Sequence, residues 1–205
     1  MMEYLFFIIL GYLSGSILYA RVFGNLLKHE NFYLETKDGN PGTANAFMQG
    51  GFFCGVSTLC GDMMKGFLPV FLAIRVLSGE ASLEMGIALV IFAPVLGHVF
   101  PIFYHFKGGK GIATTFGCLL GCMPNIFAAC VLAFFFILLS LVIRVTPHLY
   151  RTFGTYWLTL LTLMIFKEQT AILIGFFLIA LCVSVRLHMS KEEKEKCKVR
   201  LLWMH

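Results

Sequence analysis

Apolar residues run along this chain in seven blocks, 4–24, 52–77, 85–103, 112–122, 126–143, 153–166 and 171–185, separated by short polar stretches. Apolar runs repeated along a whole chain predict helices in hydrocarbon, because a helix satisfies its own backbone there and an open sheet cannot. The pattern therefore predicts an all-α, polytopic membrane bundle of about seven helices, five long and two short. The 112–122 block is too short to cross at full thickness and reads as a tilted or re-entrant helix. The 153–166 block is the other short one.

Polar residues inside and between these blocks refine the picture. The first block carries Gly11, Ser14, Gly15 and Ser16, small residues that permit close helix packing. It is flanked by Glu3 rather than a basic leader and runs on to Ala20 before Arg21, the mark of a retained helix rather than a cleaved signal peptide. The longest polar stretch, 25–50, ends in Asp38-Gly39-Asn40-Pro41-Gly42-Thr43-Ala44-Asn45, a turn rich in amides in which Thr43 or Asn45 is placed to cap the next helix. The second block holds Asp62 and Lys65 on one helical face. Ionisable groups in a span are costly unless they pair or face a polar cavity, so they read as functional or as an internal ion pair. Pro69 should disturb the helix just beyond them. In the third block Pro94, Gly97 and Pro101 weaken the last turns and deliver His98 to the membrane surface.

Composition excludes a soluble globular domain. Of 205 residues 59% are hydrophobic and 13% charged, with a mean hydropathy of +0.83, where soluble chains carry about a quarter charged residues. Residues 1–190 read as one membrane domain and 191–205 as a charged tail. Cys118 and Cys122 lie one helical turn apart, but no His or carboxylate accompanies them, so they read as packing thiols and no metal site or cofactor is expected. The net charge of +5 matters less than its placement. With the N-terminus outside, Arg21, Lys28, Lys37, Lys107, Lys110, Arg144, Arg151 and the tail fall on the inner side, and Glu80 and Glu84 on the outer. The expectation is a multi-pass protein of a bacterial inner membrane with a cytoplasmic C-terminus. Its partners are membrane lipid and small substrates, not nucleic acid. The oligomeric state is open and compatible with a monomer.

One polar stretch stands apart, Gly97-His98-Val99-Phe100-Pro101-Ile102-Phe103-Tyr104-His105-Phe106-Lys107-Gly108-Gly109-Lys110-Gly111-Ile112-Ala113-Thr114. Glycines let successive N–H groups turn inward, lysines add positive charge, and the following helix points its own unpaired N–H groups at the same spot. That is the chemistry of an anion cradle. It is not a nucleotide P-loop, because Gly111 follows Lys110 where Ser or Thr is required. A Gly- and Lys-rich connector shaped only by turning and topology is the competing reading.

Three stretches together carry a resemblance: Gly39-Asn40-Pro41-Gly42-Thr43-Ala44-Asn45; Asp62-x-x-Lys65-Gly66-x-x-Pro69-Val70; and the 97–114 stretch itself. In this order they resemble the three signature motifs of the bacterial acyl-phosphate:glycerol-3-phosphate acyltransferases, the PlsY family. The match covers about residues 10–120 well and the rest by topology. The resemblance implies a seven-helix inner-membrane enzyme of phospholipid synthesis. Such an enzyme moves a fatty acyl group from acyl phosphate to the 1-hydroxyl of glycerol 3-phosphate, giving lysophosphatidic acid and phosphate. It implies catalytic roles for Lys110, Lys107, His98, Asp62 and Lys65. It implies substrate contacts from Asn40, Gly42, Asn45, Gly108, Gly109, Gly111 and Thr114, with Arg144, Arg151 and His188 as further candidates. No His-x-x-x-x-Asp dyad occurs, so the general-base mechanism of other glycerolipid acyltransferases is not available here. Positioning and charge stabilisation would carry the reaction of an already activated anhydride.

The chain also departs from the family pattern. Lys37 and Asp38 stand where Gly and Ser are usual, and Met48 stands where an Arg binds substrate phosphate. Tyr150 and Thr152 lie where serines are expected, and the C-terminal element is reduced to Arg186-Leu187-His188 with Lys191 in place of Asn. Arg144, Arg151 or Lys37 would have to compensate. Two other classes of function fit these departures: a relative with an altered acceptor or no activity that binds lipid or phosphate, and a small transporter.

Overall fold

The computed structural model describes residues 1–27, 40–77, 83–190 and 197–201. Its helices are α1 (Met2–Gly15), α2 (Tyr19–Leu26), α3 (Thr43–Leu77), α4 (Glu84–Val99), α5 (Ile112–Gly121), α6 (Phe127–Ile137), α7 (His148–Ile165) and α8 (Thr170–Met189). Each of the seven apolar blocks holds a helix. Three stretches, Met2–Leu26, Glu84–Tyr104 and Thr170–His188, are long and apolar enough to cross a membrane. Lys28, Lys37, Asp38, Glu80 and Lys191 lie outside the described residues, as does most of the 191–205 tail.

Helix α4 is central, packed against α1 on one side and α8 on the other, while α3 crosses α5. The core is built from Val70, Ile91, Val95, Leu119, Leu132, Tyr156, Phe176 and Ile179. Large apolar side chains such as Phe6, Phe53, Val76, Phe134 and Leu161 point outward. The α3–α5 crossing is close because Gly66 and Gly117 stand at it: a Cβ on Gly66 would meet the Thr114 carbonyl, and one on Gly117 the Met63 carbonyl. Cys118 and Cys122 are core residues, and the Cys122 thiol donates to the Cys118 carbonyl at 3.5 Å.

Local structure differs from the sequence reading at several places, each with a physical reason. The first block is two helices, because Leu18 is extended (φ −91°, ψ 95°) and interrupts the ladder between α1 and α2. The second is preceded by an extra helical segment, joined to it across Gly51, whose φ of +79° only glycine adopts readily. Pro69 does not disturb the helix. The carbonyl it leaves without a helical partner, that of Lys65, accepts the Ser14 hydroxyl from α1 at 3.1 Å. Asn45 does not cap its helix; its amide donates to the Asn40 carbonyl at 2.8 Å and closes the turn. Helix α6 continues through a π-turn at Leu138–Val142. Helix α7 begins at His148, ahead of the 153–166 apolar block. Just before it, Val145–Thr146 pairs antiparallel with Lys198–Val199.

Candidate active site

The break between α1 and α2 is where the site begins. It leaves the Ile17 carbonyl outside the helical ladder, since Arg21 N–H bonds Leu18 instead, and it leaves the Tyr19 N–H as one of the unpaired donors of α2. The buried pair on α3 uses both groups. Lys65 Nζ lies 2.7 Å from Asp62 Oδ1 and donates to the Ile17 carbonyl at 2.6 Å, while the Tyr19 N–H bonds the Asp62 carboxylate. The ammonium also meets His98 Nδ1 at 2.8 Å. A buried ion pair holds only when its remaining donors and acceptors are satisfied, and the interrupted helix supplies what water would. The pair thus forms as one of the two sequence readings had it, and Asp62 also faces the cleft described below.

His98 leads from α4 into the glycine loop. After it the Pro101 carbonyl accepts the N–H groups of Tyr104 (3.2 Å) and Phe106 (2.9 Å), and left-handed His105 and Phe106 turn the chain back. The Gly109 N–H then donates to the His98 carbonyl at 3.1 Å, and the Arg186 guanidinium of α8 donates to the Gly108 carbonyl. Gly109 passes so close to the imidazole that a Cβ there would fall on His98 Nε2. Gly111 ends the loop at φ +80° as the N-cap of α5. Its carbonyl accepts the Thr115 hydroxyl at 2.8 Å, and Tyr156 of α7 donates to that hydroxyl at 3.0 Å. The loop is thereby tied to α4, α7 and α8.

A cleft of about 520 Å³ opens beside it. Among its lining residues are Asn40, Gly42, Asn45, Asp62, His98, Lys110 and Gly111, all singled out from sequence. Lys65 lies behind Asp62 and His98 rather than on the wall, and Gly108, Gly109 and Thr114 are buried in or under the loop. Lys107 is exposed and off the lining, as are Arg144 and His188; Arg151 is half-buried and also off it. His148, Phe116 and Phe136 line the cleft without having been singled out. In the sequence His148 is only a histidine between Arg144 and Arg151, and the two phenylalanines give no signal in a chain with 22 of them. Arg186, the holder of Gly108, was visible only as part of a reduced C-terminal element.

The electrostatics favour an anion. The lining includes the starts of three helices: Gly42 to Asn45 at α3, Gly111 to Ala113 at α5, and His148 at α7. Each start carries the positive end of a helix dipole. Lys110 adds a positive charge, and Asp62, the one carboxylate among the described lining residues, is matched by Lys65. Met48, Leu59, Ile112, Phe116 and Phe136 make the remaining lining apolar, so an anionic group with a hydrocarbon tail finds both of its needs in one cavity.

Comparison with known proteins agrees with this geometry. The sequence profile described as Glycerol-3-phosphate acyltransferase matches residues 5–194. The glycerol-3-phosphate acyltransferase of Cupriavidus taiwanensis is 37% identical over 140 residues, which cover 66% of this chain and 69% of that protein. That of Streptococcus pyogenes serotype M5 is 46% identical over 123 residues, covering 60% and 55%. Two crystal structures of PlsY (YgiH), an integral membrane glycerol 3-phosphate acyltransferase, superpose on this fold at 26% identity. The glycerol 3-phosphate form has a TM-score of 0.76 and covers 91% of this chain and 88% of its own. The lysophosphatidic acid form has a TM-score of 0.73, with 89% and 87% covered. The chain belongs to the glycerol-3-phosphate acyltransferase family and is an all-α, multi-pass membrane protein.

Proposed function

We propose that this member of the family transfers a fatty acyl group from acyl phosphate to the 1-hydroxyl of glycerol 3-phosphate, releasing lysophosphatidic acid and inorganic phosphate for phospholipid synthesis. The observation that carries the reading is the convergence of Asn40, Asp62, His98, Lys110 and Gly111 on one cleft that is otherwise apolar. The acyl chain lies along Phe116 and Phe136, and the phosphates lie against Lys110 and the helix starts at Gly42, Gly111 and His148. Attack by the glycerol hydroxyl on the acyl carbon forms the ester bond and breaks the carbonyl–phosphate bond, and the hydroxyl proton leaves on an oxygen of the departing phosphate. Charge then grows on the carbonyl oxygen and on the departing phosphate. Fixed donors lower that barrier without reorganising, so Lys110, the N–H groups at the start of α5 and the His98 ring act together as electrostatic stabilisers. Asn40 and Asn45 close the turn that holds the first helix start in place.

The charge distribution supports a cytoplasmic site, an outer N-terminus and an inner C-terminus, with residues 1–190 as one domain in the bacterial inner membrane. A second reading, an altered acceptor, is favoured by one observation. Met48 lines the cleft where the family pattern has a phosphate-binding Arg. Purified protein given palmitoyl phosphate and labelled glycerol 3-phosphate tests both. Lysophosphatidic acid formed by the wild type and lost in Lys110→Ala supports the first reading. Inorganic phosphate released only with a different polyol acceptor supports the second, and no turnover by folded protein overturns both.

A further inference from the structure

Three groups surround the Lys65 ammonium: Asp62 Oδ1 at 2.7 Å, the Ile17 carbonyl at 2.6 Å and His98 Nδ1 at 2.8 Å. An ammonium donates and cannot accept, so His98 Nδ1 must be the acceptor in this contact. A neutral imidazole that accepts at Nδ1 carries its proton on Nε2. Nε2 is the ring atom beside Gly109, and His98 lines the cleft. Asp62 Oδ1 lies 3.7 Å from the same Nδ1 and is the group that would capture a proton there if Lys65 were absent.

We propose that Lys65 is a positioning residue that fixes the tautomer of His98, so that the imidazole presents an N–H donor, and not a basic nitrogen, to the reacting group in the cleft. Lys65 never touches substrate. It acts through the ring, and Asp62 and the broken α1–α2 junction act by holding Lys65 in line. The hydroxyl proton of the acceptor therefore goes not to His98 but to an oxygen of the departing phosphate. The ring donates to oxygen, where negative charge accumulates as the acyl–phosphate bond breaks. This assignment rests on the acyl-transfer reading of the cleft for its chemical consequence, but the tautomer itself is observable without turnover.

The test is nitrogen NMR of ring-¹⁵N-histidine protein in nanodiscs, with the His98 signals identified by their loss in His98→Gln. The expected wild-type result is a neutral ring protonated at Nε2. In Lys65→Met the expected result is a ring protonated at Nδ1, facing Asp62, together with a drop in kcat of about 10²–10³-fold, as when one preorganised donor is lost, at little change in KM for acyl phosphate. Lys65→Arg keeps a donor at this position and should keep the Nε2–H tautomer. A wild-type ring protonated at Nδ1, or at both nitrogens, overturns the proposal even if Lys65→Met fails to fold. So does an unchanged His98 spectrum in folded Lys65→Met. Absence of acyl transfer with the Nε2–H tautomer present would remove the functional reading and leave the tautomer assignment standing.

Discussion

Ser14 of α1 donates its hydroxyl to the main-chain carbonyl of Lys65 on α3, 3.1 Å away. That carbonyl has no partner in its own helix because residue 69, four positions on, is a proline without an N–H. Proline and serine thus form one device that binds α1 to the residue holding the buried ion pair. Ser14→Ala should cost about 1–2 kcal/mol by leaving a buried acceptor unpaired. In a Pro69→Ala background, where the helix supplies its own N–H, the same change should cost almost nothing. Thermal unfolding of the two singles and the double in detergent closes the cycle. An equal loss in both backgrounds would separate the serine from the proline.

Asp62 and Lys65 should be far more sensitive singly than together. Asp62→Asn leaves a buried ammonium without its counter-charge, a loss of about 3–5 kcal/mol. Asp62→Asn combined with Lys65→Gln removes both charges and should recover most of the stability while activity stays low. Denaturation midpoints of the three variants check the order.

The α3–α5 crossing tolerates no side chain. Gly117→Ala would place a Cβ on the Met63 carbonyl, which should force the helices apart at about 1–3 kcal/mol and lower kcat by shifting Gly111 at the head of α5. Gly154→Ala is the matched control. Its Cβ would meet only Leu139 Cδ1, at an ordinary 3.5 Å, and it should leave stability and rate unchanged. Side-by-side melting curves and initial rates distinguish the two positions.

The side chain that takes the place of the Arg missing at position 48 is expected to be His148, which lines the cleft and whose Nδ1 lies 3.1 Å from Thr152 Oγ1. His148→Ala should raise KM for glycerol 3-phosphate about tenfold, the equivalent of one lost polar contact of ~1.4 kcal/mol. The Arg144→Gln and Arg151→Gln pair should raise it by less, since neither side chain lines the cleft. Steady-state kinetics in varied glycerol 3-phosphate at fixed acyl phosphate gives the ranking, and a larger effect from the arginine pair would move the phosphate to the rim.

Much of this protein is legible without coordinates. Seven apolar blocks specify the helices because hydrophobicity is a property of each residue against its solvent, and a run of such residues leaves a backbone in lipid little alternative to a helix. The 97–111 loop stands out in the same local way, through glycines and lysines that are adjacent in the chain. Sequence also offered an ion pair at Asp62 and Lys65 as one of two readings, since the two residues are neighbours on one helical face.

What sequence left open depends on groups that meet across the chain. The proton on His98 follows from Lys65, 33 positions away; Lys65 itself is held by a carbonyl 48 positions away; and the Gly108 carbonyl by an arginine 78 positions away. The break at Leu18 is written in no local propensity, yet it supplies the carbonyl and the N–H that allow charge to be buried there. His148 enters the site only because α7 starts where α3 and α5 also start. The solvent determines which segments are helices, residue by residue. The cleft arises from satisfying buried polar groups, and only the packed bundle decides which distant partner satisfies each one.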